Sequence, residues 1–201
     1  LEREKARRDE LYKNKFTKRS VPQSKEESVG VIQSIVNQSK SIKDRVVRYV
    51  IGALSARQKS DIASQGLELD DDYVHSVENS AIQHNQKEHG NPQVEEKRGQ
   101  IAITERDYEL IPDILDGYDE VKKSDRKDSQ GRDVLVYTKA YPDGAVYYLE
   151  EVREGRKSLA FKTMYKKKNG TGGSDGLMPG ASPSTPLAPS DISNSVGKGS
   201  S

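Results

Sequence analysis

The sequence predicts an α+β fold: N-terminal helices packed on a four-stranded antiparallel meander, with flexible N- and C-terminal extensions. Three observations predict it. Apolar residues recur at threes and fours through the first half of the chain, as in Val74, Val77, Ala81 and Ile82. From Val121 the alternation changes to a period of two, and two turn signals, Pro142-Asp143-Gly144 and Glu154-Gly155-Arg156, divide the alternating runs. Strands that follow helices, rather than alternate with them, argue for α+β and against a doubly wound sheet.

Taken in order, residues 1–18 alternate acidic and basic side chains at helical spacing with little apolar surface, which predicts a solvated helix or tether. Residues 20–41 are rich in Ser, Gln and Lys around one apolar piece, residues 29–36, and read as linker with a short helix. The run of residues 45–52 is β-branched and compact enough for a strand. A helix follows, with Ser55 as its N-cap and Gly66 as its stop. Residues 75–89 read as a second helix ended by Gly90, and residues 91–100 as a polar loop. Thr104-Glu105-Arg106-Asp107 opens a further helix in the manner of a capping box, and Pro112 kinks or restarts it. The runs over 134–140, 145–153 and 158–165 are strands of the meander. The resulting division is a basic, partly helical arm and linker (1–44), a folded domain (45–168) and a disordered Pro/Gly/Ser-rich tail (169–201).

Composition bounds the class. Of the 201 residues, 32% are hydrophobic and 32% charged, so the core is small for the length. The net charge of +1 does not by itself argue for nucleic acid, although residues 1–45 are basic and offer an arm for RNA phosphates. Without cysteine there is no disulfide framework and no thiolate zinc site. No apolar run approaches the ~20 residues that span a bilayer, and no signal-peptide pattern opens the chain. A chain that opens on Leu1 reads as the C-terminal piece of a longer polypeptide.

Titratable chemistry concentrates in one stretch, because His75, His84 and His89 are all the histidines there are. Imidazole is the side chain whose ordinary pKa, about 6.5, suits proton transfer near neutrality. On a helix His84 and His89 lie about 140° apart, on either flank of the apolar stripe, where both can border one cleft. His89 before Gly90 also suits a cation at the negative end of a helix, and His84 a hydrogen-bonded residue at the core edge. Five-residue spacing is wrong for two metal ligands on one helical face, and no His-Glu-x-x-His is present, so no metal is expected. No Gly-rich phosphate loop appears, which argues against a nucleotide-dependent enzyme, and no cofactor is expected.

A histidine helix facing a sheet with Lys139, Arg153, Thr163 and Tyr165 meets the needs of metal-independent RNA cleavage. One imidazole takes the proton of the ribose 2′-hydroxyl, another protonates the leaving 5′-oxygen, and cations with hydroxyl donors stabilise the charge on phosphorus. Glu150 and Glu151 are candidate general bases, though paired strand glutamates more often answer arginines such as Arg153 and Arg156. Tyr147, Tyr148 and Phe161 read most simply as core or cross-strand pairs, and Lys139 as a solvent-facing strand position.

The order of motifs, His75-x₈-His84-x₄-His89-Gly90-Asn91, Arg98 to Asp107, Ile111-Pro112-Asp113-Ile114, Tyr137-Thr138-Lys139, Tyr148 to Arg153 and Lys162 to Lys166, resembles the phage-associated barnase-EndoU-colicin-RelE-like nuclease domains found at the C-termini of MuF-type phage head proteins and of polymorphic toxins. The resemblance implies a helical part on a four-stranded antiparallel sheet and an endoribonuclease that leaves a 2′,3′-cyclic phosphate. An EndoU-like arrangement would use His84, His89, Lys139, Thr163 and Tyr165 as catalytic residues, with His75 as a further candidate. A barnase-like plan would instead use Glu150 or Glu151 as base and Arg153 on the phosphate. The implied partners are RNA, with transfer RNA as one target, and a cognate immunity protein. The implied setting is the cytoplasm of a bacterial host or target cell, reached from a phage particle or a secreted toxin. The alternative from another class is a non-catalytic RNA- or protein-binding module of a phage head protein.

Overall fold

Ser24 caps the helix over residues 25–41 by accepting from the Glu27 amide, and Glu26 and Glu27 in its first turn oppose Lys40 in its last, which suits the helix dipole at both ends. This helix, α1 (Lys25–Ser41), buries Ile32, Ile35 and Val36 in the same apolar cluster as the sheet. The Ser28 hydroxyl donates to the Ile51 carbonyl at 2.6 Å, which fastens α1 to the first strand. The stretch expected as linker is therefore part of the fold, because its one apolar run falls on a single helical face that the sheet can cover. The computed structural model describes residues 3–5 and 21–170; the rest of the basic arm, and the Pro/Gly/Ser-rich tail from residue 171, lie outside the described residues.

The remaining elements are β1 (Arg48–Ala53), α2 (Ala56–Ser64), β2 (Val74–Glu78), α3 (Asn79–His89), α4 (Pro92–Lys97), β3 (Gln100–Ile101), a 3₁₀ turn (Glu105–Leu110), α5 (Ile111–Gly117), β4 (Glu120–Lys123), β5 (Val134–Tyr141), β6 (Gly144–Arg153), a second 3₁₀ turn (Glu154–Arg156) and β7 (Ser158–Lys168). Ser55 and Gln58 form a full capping box at α2, and Gly66, with φ of 85°, supplies the left-handed stop. Thr104 and Asp107 form a second capping box, and the helix restarts at Ile111 with Pro112 in its first turn, where no amide is needed. Gly144 closes the β5–β6 hairpin where any Cβ would collide with the Lys167 carbonyl oxygen, so the close approach requires glycine.

Among the described residues the sheet has seven strands rather than the expected four, in the order β1-β2-β7-β6-β5-β4, with β3 also on β7. The meander β4 to β7 is antiparallel as expected, and β7 then accepts β2 in parallel and β3 antiparallel along its far edge. Two sequence expectations fail along this edge of β7. His75 lies on β2, not on a helix, because residues 74–78 hydrogen-bond between β1 and β7 and only tertiary pairing reveals that edge. Residues 91–100 are not a loop but hold α4 and β3; the Asn91 side chain accepts from the amides of Gln93 and Val94, and Pro92 occupies the first turn.

The helices pack on one face. Ile32, Ile35, Ile62, Ile82, Tyr108, Ile111 and Ile114 meet Leu135, Tyr137, Val146, Tyr148, Leu159, Phe161 and Met164 in one apolar cluster. Phe161 and Met164 are three apart yet both reach this core, because the β6–β7 register slips at Leu149/Glu150 and inserts one extra residue on β7. By strand alternation Tyr147, Leu149, Thr163, Tyr165 and Lys167 face the other way, and except for Leu149 they are half-exposed. The sheet thus has a covered face and an open one.

Candidate active site

His89 is the last residue of α3, and its backbone carbonyl is held by the Ile103 amide at 2.8 Å. The chain then reverses through Asn91 and Pro92 so that α4 brings Glu95 back against the imidazole, Oε2 standing 3.0 Å from His89 Nδ1. Glu95 is fully buried, and its other oxygen accepts from Arg98 Nη1 at 2.8 Å. The Arg98 guanidinium also donates to the Glu88 carbonyl at 3.0 Å, which ties both helix ends together. In a neutral imidazole, a carboxylate acceptor at Nδ1 favours the tautomer with its hydrogen there and the lone pair on Nε2, the arrangement a proton acceptor needs. The His89 side chain is 16% exposed, enough to meet solvent or a ligand.

On the open face the His89 ring lies 5.6 Å from that of Tyr165, tilted by 31°. Tyr165 stacks on its cross-strand neighbour Tyr147 with centroids 5.0 Å apart and planes within 6°. The Lys167 ammonium stands 4.9 Å from the centre of the Tyr147 ring. Burial, followed by the neighbouring Tyr147, pushes the Tyr165 hydroxyl up to about 12, so it remains a proton-bearing donor at neutral pH. Thr163, two residues back on the same face, gives its hydroxyl hydrogen to Asn85 Oδ1 at 2.9 Å; the same oxygen takes the Met164 amide at 2.8 Å. Asn85 thereby holds α3 against the edge of β7 between β2 and β3.

The structure brings together His89, Tyr165 and Thr163, and separates the other residues singled out by sequence. Lys139 pairs with the core residue Val146, so it points to the helix-covered face, where its ammonium donates to the Gly117 carbonyl at 2.8 Å and lies 3.7 Å from Asp113. The expected meeting of Lys139 with Thr163 and Tyr165 does not occur, since one residue of strand phase decides the face. His84 is exposed on α3 and makes no hydrogen bond among the described residues. His75 is buried between Glu150 and Gln58, at 2.7 and 3.0 Å. Glu150 is fully buried as well, and its carboxyl, after burial, holds the Tyr137 and Tyr148 hydroxyls far above the ordinary tyrosine range.

Glu151 and Arg153 do lie on the open face, but toward the other end of β7, inside a chain of charges. Arg48 and Arg153 both bond Glu78, the latter at 2.6 Å, while Arg132 bonds Glu151 and Arg153 Nε lies 3.5 Å from it. These pairs join β1, β2 and β6 across β7, whose residues there, Ser158 and Ala160, are small.

Sequence reading missed Glu95, Asn85 and Tyr147. The Asn91-Pro92 pair is a helix-start signature that places Glu95 one turn in, so the first was open to detection. Nothing local identifies Asn85 or the outward face of Tyr147, because adjacent tyrosines on a strand read alike until one is known to be buried.

No curated protein and no solved structure matches the chain. The family described as phage-Barnase-EndoU-ColicinE5/D-RelE like nuclease3 matches residues 50–172, which run from β1 to the end of β7 and include His89, Glu95, Tyr147, Thr163 and Tyr165. With more than half of its length matched, the chain belongs to this family of phage-associated nuclease-like domains.

Proposed function

We propose that the domain is a metal-independent endoribonuclease acting at the open face of the sheet around His89. The observation that carries this reading is the His89–Glu95 contact: a partly exposed imidazole, oriented by a buried carboxylate, beside an aromatic pair able to stack a base. His89 Nε2 takes the proton of the ribose 2′-hydroxyl. The 2′-oxygen then bonds to phosphorus, the bond from phosphorus to the 5′-oxygen breaks, and a 2′,3′-cyclic phosphate and a 5′-hydroxyl result. The Tyr165 hydroxyl donates the proton to the leaving oxygen, and Lys167 offsets the negative charge on the phosphoryl oxygens. His84 is the alternative source of the second proton.

The family supports a nuclease; RNA as the substrate, transfer RNA as its target, and a setting in a MuF-type head protein or a polymorphic toxin with an immunity protein belong to this proposal. Total RNA incubated with the purified chain in EDTA should yield fragments with 2′,3′-cyclic phosphate ends. Intact RNA at every pH from 5 to 8 would sink it.

A second reading rests on the stacked Tyr147–Tyr165 pair with Lys167 beside it, which suits binding of a single strand without chemistry. Expression in a bacterial host discriminates the two. Growth arrest by the wild type and not by His89→Ala supports the enzyme, and equal harmlessness with RNA binding retained supports the module.

A further inference from the structure

Where β6 runs into the turn Glu154–Arg156, the protein carries a second feature that the chemistry at His89 does not use. A cleft of about 460 Å³ opens there, lined by four cations, Lys127, Arg132, Arg153 and Arg156, and by two carboxylates, Asp133 and Glu154. Asp133 is engaged by Lys127 at 3.6 Å. Arg132 and Arg153 are held by Glu151 and Glu78, so their guanidinium planes are oriented before any ligand arrives. A guanidinium carries five N–H donors, and these pairings leave several of them over. Arg156 is exposed and makes no ion pair or hydrogen bond among the described residues. Oriented arginines in a concave, net-positive site match a tetrahedral anion bearing several acceptor oxygens.

The position of the cleft narrows the ligand further. Arg153 stands opposite Ser158 and Tyr147 opposite Tyr165, and both Arg153 and Tyr147 face the open side of the sheet. Six residues of β6 separate the two levels, about 20 Å at ~3.3 Å per residue, the further residue on β7 being the one inserted at the register slip. Resting on the proposed ribonuclease reading, we propose that this cleft is a remote phosphate subsite: it takes a backbone phosphodiester of single-stranded RNA a few nucleotides away from the linkage at His89. Such a subsite favours long strands over dinucleotides, whose single phosphate cannot reach both places.

The test uses the whole chain and fluorescently labelled 2′-O-methyl oligonucleotides, which lack the attacking hydroxyl and remain uncut. Anisotropy titrations across a salt series compare a single strand of about a dozen nucleotides with a dinucleotide. Lys127→Ala/Arg156→Ala changes two exposed side chains and should weaken the long strand about tenfold at low salt. It should also flatten the salt slope by about 0.7, the share of the one phosphate that the variant no longer neutralises. The dinucleotide affinity should stay at its wild-type value. Equal affinity of wild type and variant for the long strand overturns the subsite, as does an equal loss on both ligands. Cleft-dependent binding by a chain that cuts no RNA would overturn the catalytic reading and leave the subsite standing.

Discussion

The side chains of His89 and Glu95 meet at 3.0 Å although they belong to different helices, because Gly90 ends one helix and Asn91 caps the next within two residues. The pair is a local product of a helix-turn-helix reversal, fixed further by Arg98. It holds Nδ1 against the buried carboxylate, with the ring 5.6 Å from that of Tyr165.

If that orientation matters to the reaction, Glu95→Gln keeps the shape and removes the anionic partner. Cleavage of RNA should fall about 10²–10⁴-fold, as should cleavage by His89→Ala. Single-turnover rates on a labelled RNA, with thermal melts to verify folding, check this. A Glu95→Gln enzyme within threefold of wild type would show that the carboxylate is only a structural neighbour.

Tyr165 combines a stacking surface with a proton-bearing hydroxyl, and two substitutions separate them. Tyr165→Phe should lower the rate at saturating RNA with little change in binding. Tyr147→Ala should weaken binding by about 1–3 kcal/mol, the usual worth of one base stacked on an aromatic ring. Equal effects of the two on affinity and rate would contradict this division.

The His75–Glu150 contact, by contrast, is buried and remote from the open face. His75→Ala leaves the Glu150 carboxyl without its closest partner and should cost about 3–5 kcal/mol of stability. Urea denaturation near neutral pH measures it, and a loss under ~1 kcal/mol would place the network's strength elsewhere.

Asp113 yields a pH dependence with a defined sign. The Tyr141 hydroxyl, against the opposing effect of burial and with help from Lys25 and Lys139, holds this carboxyl below its ordinary 3.8. A lowered folded-state value means that the stabilisation is present above the unfolded value and disappears as pH falls through the folded one. Asp113→Asn should therefore cost stability at pH 7, by less than about 1 kcal/mol for so exposed a group, and nothing at the acid extreme. Stability curves of both proteins that stay parallel down to strong acid would refute the assignment.

How far the sequence reached is clearest on β6 and β7. Their hairpin turns, their alternation and the shared face of Thr163 and Tyr165 were legible, because a strand's period of two and a Pro-Asp-Gly turn are written in neighbouring residues. The Ser55 and Thr104 caps were legible for the same reason, each being completed within three residues. The face of Lys139 was not, since alternation sets relative phase along β5 and only packing against α5 says which phase is buried. Nor was the strand at His75, whose edge exists only once β7 is in place.

By itself, then, the sequence determined the α+β class, the antiparallel meander, the caps and turns, the family, and the stretch that holds all three histidines. The tertiary structure alone decided that the sheet has seven strands among the described residues, that His89 is the partly exposed histidine held by a buried carboxylate, and which tyrosine stands beside it. The physical reason is range. Caps, turns and strand periods are satisfied by residues a few positions apart, whereas the choice of face and partner is made by pairing and burial between segments dozens of residues apart.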